Sequence, residues 1–257
     1  MITLRPTSVS EWPETSHYPG VHGGVLYITE QRTITRGPDG LVLNTPGGTS
    51  PLGIRVYKDL GFSLDAFEPD KLILCNTTEV WEVNLQAGHA QCVISSHMPF
   101  SCAIAIRQSI LTLVGSPFAT VQRWERGADG VFAMAWETPV PKQFKRMTVI
   151  AEGRGLVLHQ AAHEPTLILA VGPDGLRAVA GLDLDLDQVR AEGERTWAVP
   201  RDAENGWWHA FEGIEASIAK ALEGPPWATL RDVEIPMWVT VLEDDDEDAD
   251  HEDVRDL

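Results

Sequence analysis

The chain has 257 residues, 43% hydrophobic and 23% charged, a composition of folded globular proteins with length for one large core or two small ones. Lys and Arg total 20 against 38 Asp and Glu, a formal charge of −18, which excludes partners held mainly through phosphates, nucleic acid first among them. No run approaches the roughly 18 apolar residues of a membrane helix, and residues 1–12 lack the basic-then-apolar order of a secretion signal; the expectation is a cytoplasmic protein without membrane contact.

Taken in chain order, the sequence reads as short strands set around a recurring turn. The turn has the form Gly-x-Asp-Gly, at Gly37 to Gly40, Gly127 to Gly130 and Gly172 to Gly175, with Gln86-Ala87-Gly88 in a comparable place. Measured between the last glycines, the spacings are 48, 42 and 45 residues. Asp-Gly favours tight reversal because Gly takes positive φ without steric cost and Asp bonds its own backbone, so each reads as a hairpin tip. Strand-like runs flank the turns at 24–29, 32–36 and 41–45, then 71–75, 79–83 and 90–95, then 109–114, 120–125 and 131–137, then 155–159, 166–171 and 176–180. A weaker set covers 195–200 and 207–211, and further strands at 54–58, 101–106 and 147–151 lie between sets.

Helical periodicity is confined to 213–223, where Ile214, Ile218, Ala221 and Leu222 share one face before Gly224-Pro225-Pro226 stops the helix. A late isolated strand at 234–242 and a first one at 2–5 are the elements available to join the last set to the first. Residues 243–257 hold ten acids and one base, and a block of that kind repels itself and has little to bury, so it reads as a disordered acidic tail. Residues 1–242 then form a single body. A unit of about four strands in 40 to 45 residues is the signature of a propeller blade. The fold expected is all-β and β-propeller-like, with about five four-stranded blades and one short helix near 213–223; a β-sandwich is the alternative that the same strand spacing permits.

Motifs that carry chemistry are scarce. There is no Gly-x-Ser-x-Gly elbow, no phosphate-binding Gly-x-x-x-x-Gly-Lys-Ser/Thr loop and no His-Glu-x-x-His. Asp183, Asp185 and Asp187 alternate with leucines and Glu194 stands at the twelfth position of a calcium-type loop that begins at Asp183, but Gln188 replaces the turn glycine and Arg190 brings a positive charge, so the run reads as an edge strand with Asp outward. His159 and His163 flank the tip at Gln160-Ala161-Ala162 and read as turn or surface histidines; His89, His97, Cys92 and Cys102 have no ligand spacing. No metal and no cofactor are expected. Cys75, Cys92 and Cys102 cannot build a disulfide framework and read as reduced, mostly buried thiols.

Nine tryptophans leave the aromatic side chains as the candidate binding residues, with Trp197, Trp207, Trp208 and Trp227 gathered in the last fifth of the chain. On a strand the adjacent Trp207 and Trp208 point to opposite faces, so one is the exposed member. The function expected is a non-catalytic protein-binding scaffold, in its specific form an acidic inhibitor or immunity-type protein that captures a basic protein partner through its field. The alternative is a glycan-binding or glycan-hydrolysing propeller with an axial site of tryptophan and carboxylates, for which Glu30, Asp65 and Glu152 are candidates. Truncation after residue 242 is expected to leave the melting temperature of the body unchanged, because the tail has no apolar periodicity with which to dock; a large fall in a thermal melt shows that it packs.

Overall fold

The computed structural model describes residues 2–7, 20–22, 25–29, 31–55, 61–64, 70–115, 119–140, 144–159, 166–192, 194–201, 207–227 and 239–241. The acidic run 243–257 lies outside them. Strand β1 (Ile2–Pro6) opens the chain. Blade 1 is the sheet β2 (Gly20–His22), β3 (Val25–Thr29), β4 (Arg32–Gly37), β5 (Gly40–Thr45), β6 (Gly48–Pro51), and blade 2 is β7 (Gly61–Leu64), β8 (Lys71–Cys75), β9 (Glu79–Asn84), β10 (His89–Ser95). Blade 3 comprises β11 (Phe100–Ile106), β12 (Ser109–Val114), β13 (Thr120–Arg126) and β14 (Phe132–Pro139); blade 4 comprises β15 (Arg146–Ile150), β16 (Gly155–His159), β17 (Thr166–Val171) and β18 (Leu176–Leu182). Blade 5 takes β19 (Leu186–Glu192), β20 (Arg195–Pro200) and β21 (His209–Glu212), then β1 from the start of the chain and β22 (Val239–Val241) from near its end.

Five sheets in chain order, antiparallel except for the β1–β22 pair of the last, with first strands β7, β11, β15 and β19 adjacent from sheet to sheet, make the architecture propeller-like. The glycine turns all join the third strand of a blade to the fourth: β4 to β5, β9 to β10, β13 to β14 and β17 to β18. Gly40, Gly88, Gly130 and Gly175 have φ of 130°, 65°, 82° and 147°, as such reversals require. At Gly40 the demand is doubled, because a Cβ there would stand 2.5 Å from the Ile54 carbonyl oxygen that accepts the Leu41 N–H. That contact also answers the expected strand at 54–58. Ile54 is buried, but residues 52–55 run as irregular chain folded back over β5, and 56–58 lie outside the described residues.

Each core lies between sheets. Leu26, Leu43, Leu72 and Leu74 belong to the cluster between blades 1 and 2; Ile73, Cys75, Ala105 and Ile110 to that between blades 2 and 3. Leu111, Leu113, Leu156 and Leu158 fill the space between blades 3 and 4, and Val157, Ile168, Ala198 and Phe211 that between blades 4 and 5. Successive residues of one strand therefore serve two cores, which is why β12, β16 and β17 are buried at every position.

The first candidate closing strand is β1, and of the late one expected at 234–242 residues 239–241 form β22 while the rest lie outside the described residues. β1 pairs antiparallel with β21 (Leu4 opposite Phe211) and β22 pairs parallel with β1 (Thr3 opposite Thr240). The helix α1 (Ile214–Leu222) leaves β21 where another blade would turn into its fourth strand. Its buried Ile214 and Ile218 close the core between blades 4 and 5, and Ile218 needs Gly155 beneath it, where a Cβ would lie 2.5 Å from its Cδ1. No helix among the described residues is long and apolar enough to cross a membrane. Leu4 has no exposed surface and sits in the core between blades 4 and 5. Leu4→Ala is expected to cost about 3 kcal/mol, the usual range for a buried leucine that leaves a cavity, and a denaturant titration measures it; a loss near zero shows that β1 does not close the fold.

Candidate functional site

Strand direction divides the molecule into two faces. The glycine turns lie at one end of the sheets, the turn face, and the short connections β10 to β11, β14 to β15 and β18 to β19 lie at the other, the crossover face. The alternating Leu-Asp run falls on the crossover face between blades 4 and 5 and is not one edge strand. Leu182 ends β18, Asp183 and Leu184 make the bend, and Leu186 opens β19. The reason is packing: Leu182 and Leu186 are both fully buried in the core between the blades, so the chain turns between them. Glu194 lies beyond the far end of β19, seven residues and about 20 Å of extended chain from Asp187. The carboxylates therefore do not converge as a calcium loop requires.

Around this bend the structure assembles a group that the sequence does not announce. Asp185 Oδ2 is 2.6 Å from the Arg201 guanidinium, and the Arg201 N–H donates to the Asp185 carbonyl at 2.9 Å. Asp185 Oδ1 is buried and without a hydrogen-bond partner. The Leu186 N–H donates to Thr166 Oγ1, and the Leu186 carbonyl accepts from His159 Nδ1 at 3.2 Å. His159 is 2% exposed, against the expectation of a turn or surface histidine, because β16 carries it to its last residue inside the interface of blades 4 and 5. With Nδ1 donating, Nε2 of the neutral ring accepts from the Thr148 hydroxyl at 3.1 Å. Burial drives the His159 pKa down to about 4, and the Arg146 and Arg201 charges push the same way against Asp187 and the Leu186 bond. This is a latch between blades. His163 lies outside the described residues.

The tryptophans do not form one cluster. Trp197, inside β20, is 3% exposed and cannot meet a partner from the surface. Trp207 and Trp208 precede β21 and so are not the two faces of a strand: the Thr7 N–H donates to the Trp208 carbonyl at 2.8 Å, and pairing between β1 and β21 begins only at His209. Trp207 is 41% exposed and Trp208 half-buried, both on the crossover face of blade 5. Trp227, 40% exposed, has its N–H on the Leu176 carbonyl at the start of β18, which puts it on the turn face. Trp207 and Trp227 therefore occupy opposite ends of the sheets.

The carboxylates proposed for an axial site are not brought together by the described residues. Glu152 is exposed at the turn from β15 to β16 on the turn face, with φ of 52°, while Glu30 and Asp65 lie outside the described residues. Among the described residues no three His, Cys, Asp or Glu side chains are grouped so as to hold a metal ion. Cys75, Cys92 and Cys102 are free thiols, and burial pushes those of Cys75 and Cys102 up to about 12, which keeps them protonated and unreactive at neutral pH.

No family model and no curated protein sequence matches the chain. Solved structures match in fold only. The chain is similar to the structure described as a complex of KlAtg21 with the coiled coil of AgAtg16, at 9% identity and a TM-score of 0.52, covering 69% of this chain and 63%, under two thirds, of that one. YCF48 from Cyanidioschyzon merolae matches at 10% identity and a TM-score of 0.49 over 73% of this chain and 68% of the other, and a Lactobacillus plantarum protein at 12% and 0.48 over 72% and 67%. These neighbours are propeller-like proteins, and the likeness extends to the fold alone.

The latch sets a pH dependence. Above the ordinary histidine pKa of 6.5 both folded and unfolded chains carry neutral His159, and stability is full. As pH falls from 6.5 toward about 4 the unfolded chain takes the proton first and stability drops, levelling below the folded pKa after a loss on the order of 3 kcal/mol. His159→Gln is expected to flatten the decline between pH 6.5 and 5 relative to the parent chain, measured by denaturant midpoints at each pH; parallel curves show that His159 is not the group responsible.

Proposed function

We propose that the protein is a non-catalytic, protein-binding propeller that captures a basic protein partner, in the manner of an acidic inhibitor or immunity-type protein. The observation that carries this reading is the exposed Trp207 on the crossover face of blade 5. It stands two strands from β22, after which the chain runs through Leu242 into the acidic stretch 243–257. β22 is parallel to β1, and β1 ends beside Trp208, so β22 also runs toward the crossover face. An aromatic anchor and the last described strand before the largest block of negative charge thus end on the same face. Charge accelerates encounter while a desolvated aromatic side chain holds the complex. A propeller of similar fold, KlAtg21, is described in complex with a coiled coil, which supports a protein as the ligand class. We place the protein in the cytoplasm, where the reducing conditions suit three free thiols.

The test is capture on the immobilised full chain at low and moderate salt, followed by kinetics with the captured protein. Deletion of 243–257 is expected to slow association by about tenfold at low salt and to flatten its salt dependence, with little change in dissociation. Trp207→Ala is expected to do the reverse, weakening binding by about 2 kcal/mol, mostly through faster dissociation. Absence of a specific partner at either salt overturns the reading, and a silent Trp207→Ala moves the anchor elsewhere.

A further inference from the structure

The outer edge of blade 3 differs from those of its neighbours. Of the outermost strands β6, β10, β14 and β18, the first is four residues long with exposed Gly48, Thr49 and Pro51, the second exposes His89, Gln91 and Ser95, and the last exposes no residue. β14 is the longest of them at eight residues and exposes Ala133, Met134 and Ala135, directly after a Val131 that is 63% exposed. Four exposed apolar side chains, interrupted only by the half-buried Phe132, at an edge with no partner strand among the described residues are what sheet proteins ordinarily avoid with proline, charge or brevity. Blades 1 and 5 each carry a fifth strand at this position, so the architecture accepts one.

The charge around the strip selects the occupant. Asp129 stands in the turn before β14 and is exposed, Glu137 is exposed near its other end, and the half-exposed Glu125 lies opposite Ala133 on β13. The two arginines of β13 are turned into the body. Arg126 pairs with Glu82 of blade 2 and lies 4.6 Å from the Phe132 ring; Arg123 donates to the Gly172 carbonyl of blade 4 and to Ser109, and pairs with Glu125. The exposed rim is therefore acidic. A second copy paired antiparallel would set the Asp129 end of one strand against the Glu137 end of the other, carboxylate to carboxylate. The bulge at Ala135, where Arg123 faces Trp136 and Trp124 faces Met134, would also have to be met by an identical bulge.

We propose that β14 receives an extended, Lys- or Arg-bearing segment of a partner protein as a fifth strand of blade 3, its backbone along the β14 edge, its alternate apolar side chains on the face that carries Phe132 and Met134, and its basic side chains on the opposite face with Ala133 and Glu125. Lysines or arginines at the intervening and flanking positions meet Asp129, Glu125 and Glu137. The proposal rests on the protein-binding reading above and adds to it a second point of contact, with the class of segment that fits there.

The probe is a synthetic peptide of about eight residues alternating Lys and Val, the period of one strand face, compared with a peptide of equal charge in which proline replaces valine. Hydrogen exchange on the full chain is expected to slow at Phe132 to Glu137 with the first peptide and not with the second. Met134→Lys, at a side chain already 48% exposed and so harmless to folding, is expected to weaken the first peptide by at least about tenfold, while Trp207→Ala leaves it unchanged. Equal binding of the two peptides, or protection confined to other strands, overturns the proposal. So does a dimer in sedimentation that Met134→Lys dissolves while the peptide gives no protection at β14, because the occupant is then a second copy. A captured partner that is sensitive to Trp207→Ala and indifferent to Met134→Lys overturns this site and leaves the protein-binding reading standing.

Discussion

A sheet with two apolar faces has no stable existence alone, and this single requirement organises the molecule. Leu72 and Leu74 look toward blade 1 while Ile73 and Cys75 look toward blade 3, and the same division recurs at Leu167 and Leu169 against Ile168 and Ala170. Blades 2, 3 and 4 are thus each the wall of two cores, and none of them can be removed without exposing the faces of its neighbours. The last blade meets the requirement only by recruiting both ends of the chain. With β1 in place, the segment after β21 need not turn into a fourth strand and instead becomes α1, whose Ile214 and Ile218 lie over the core between blades 4 and 5.

Polar groups at the seams follow from the same packing. The backbone of Leu186 enters the interface of blades 4 and 5 with its N–H and carbonyl both in need of partners, and Thr166 and His159 supply them. Arg177, 6% exposed, does the equivalent at the turn face: its guanidinium donates to the carbonyls of Gly175 and Gly224 and pairs with Asp174, tying the blade 4 turn to the chain leaving α1. The buried charge is compensated there by the Asp174 carboxylate and by two carbonyl oxygens.

Much of the framework was legible because turns repeat where strands do not. Gly-x-Asp-Gly marked the same hairpin in blades 1, 3 and 4, and the runs 71–75, 109–114, 155–159, 166–171 and 195–200 coincide with β8, β12, β16, β17 and β20. What escaped lies at the inner and outer margins. β19 reads Leu-Asp-Gln-Val-Arg-Ala-Glu and is mostly half-buried, so it has neither the apolar run of a middle strand nor clean alternation. β6, Gly-Thr-Ser-Pro, has the composition of a loop. The site was less legible than the fold. Aromatic content pointed to Trp207, but nothing local separated it from the buried Trp197, since exposure is decided by which blade stands opposite. Asp185 and His159 gave no motif because their partners, Arg201 and Leu186, come from other strands. The apolar run of β14 resembled any core strand, and its meaning depends on its being the outermost one.

The pairing of Thr3 with Glu212 joins residues about 200 positions apart, and it gives the protein a clock. At ribosomal speeds of about 5 to 20 residues per second, β1 emerges some 10 to 40 seconds before the strand it needs. Through that interval Ile2 and Leu4 travel as an apolar thread on the nascent chain, open to chaperones, while blades 1 to 4 can already stack upon one another. The last blade is completed only when β1 meets β21, so an interruption of synthesis shortly before β21 yields a stack of blades with an unfinished flank.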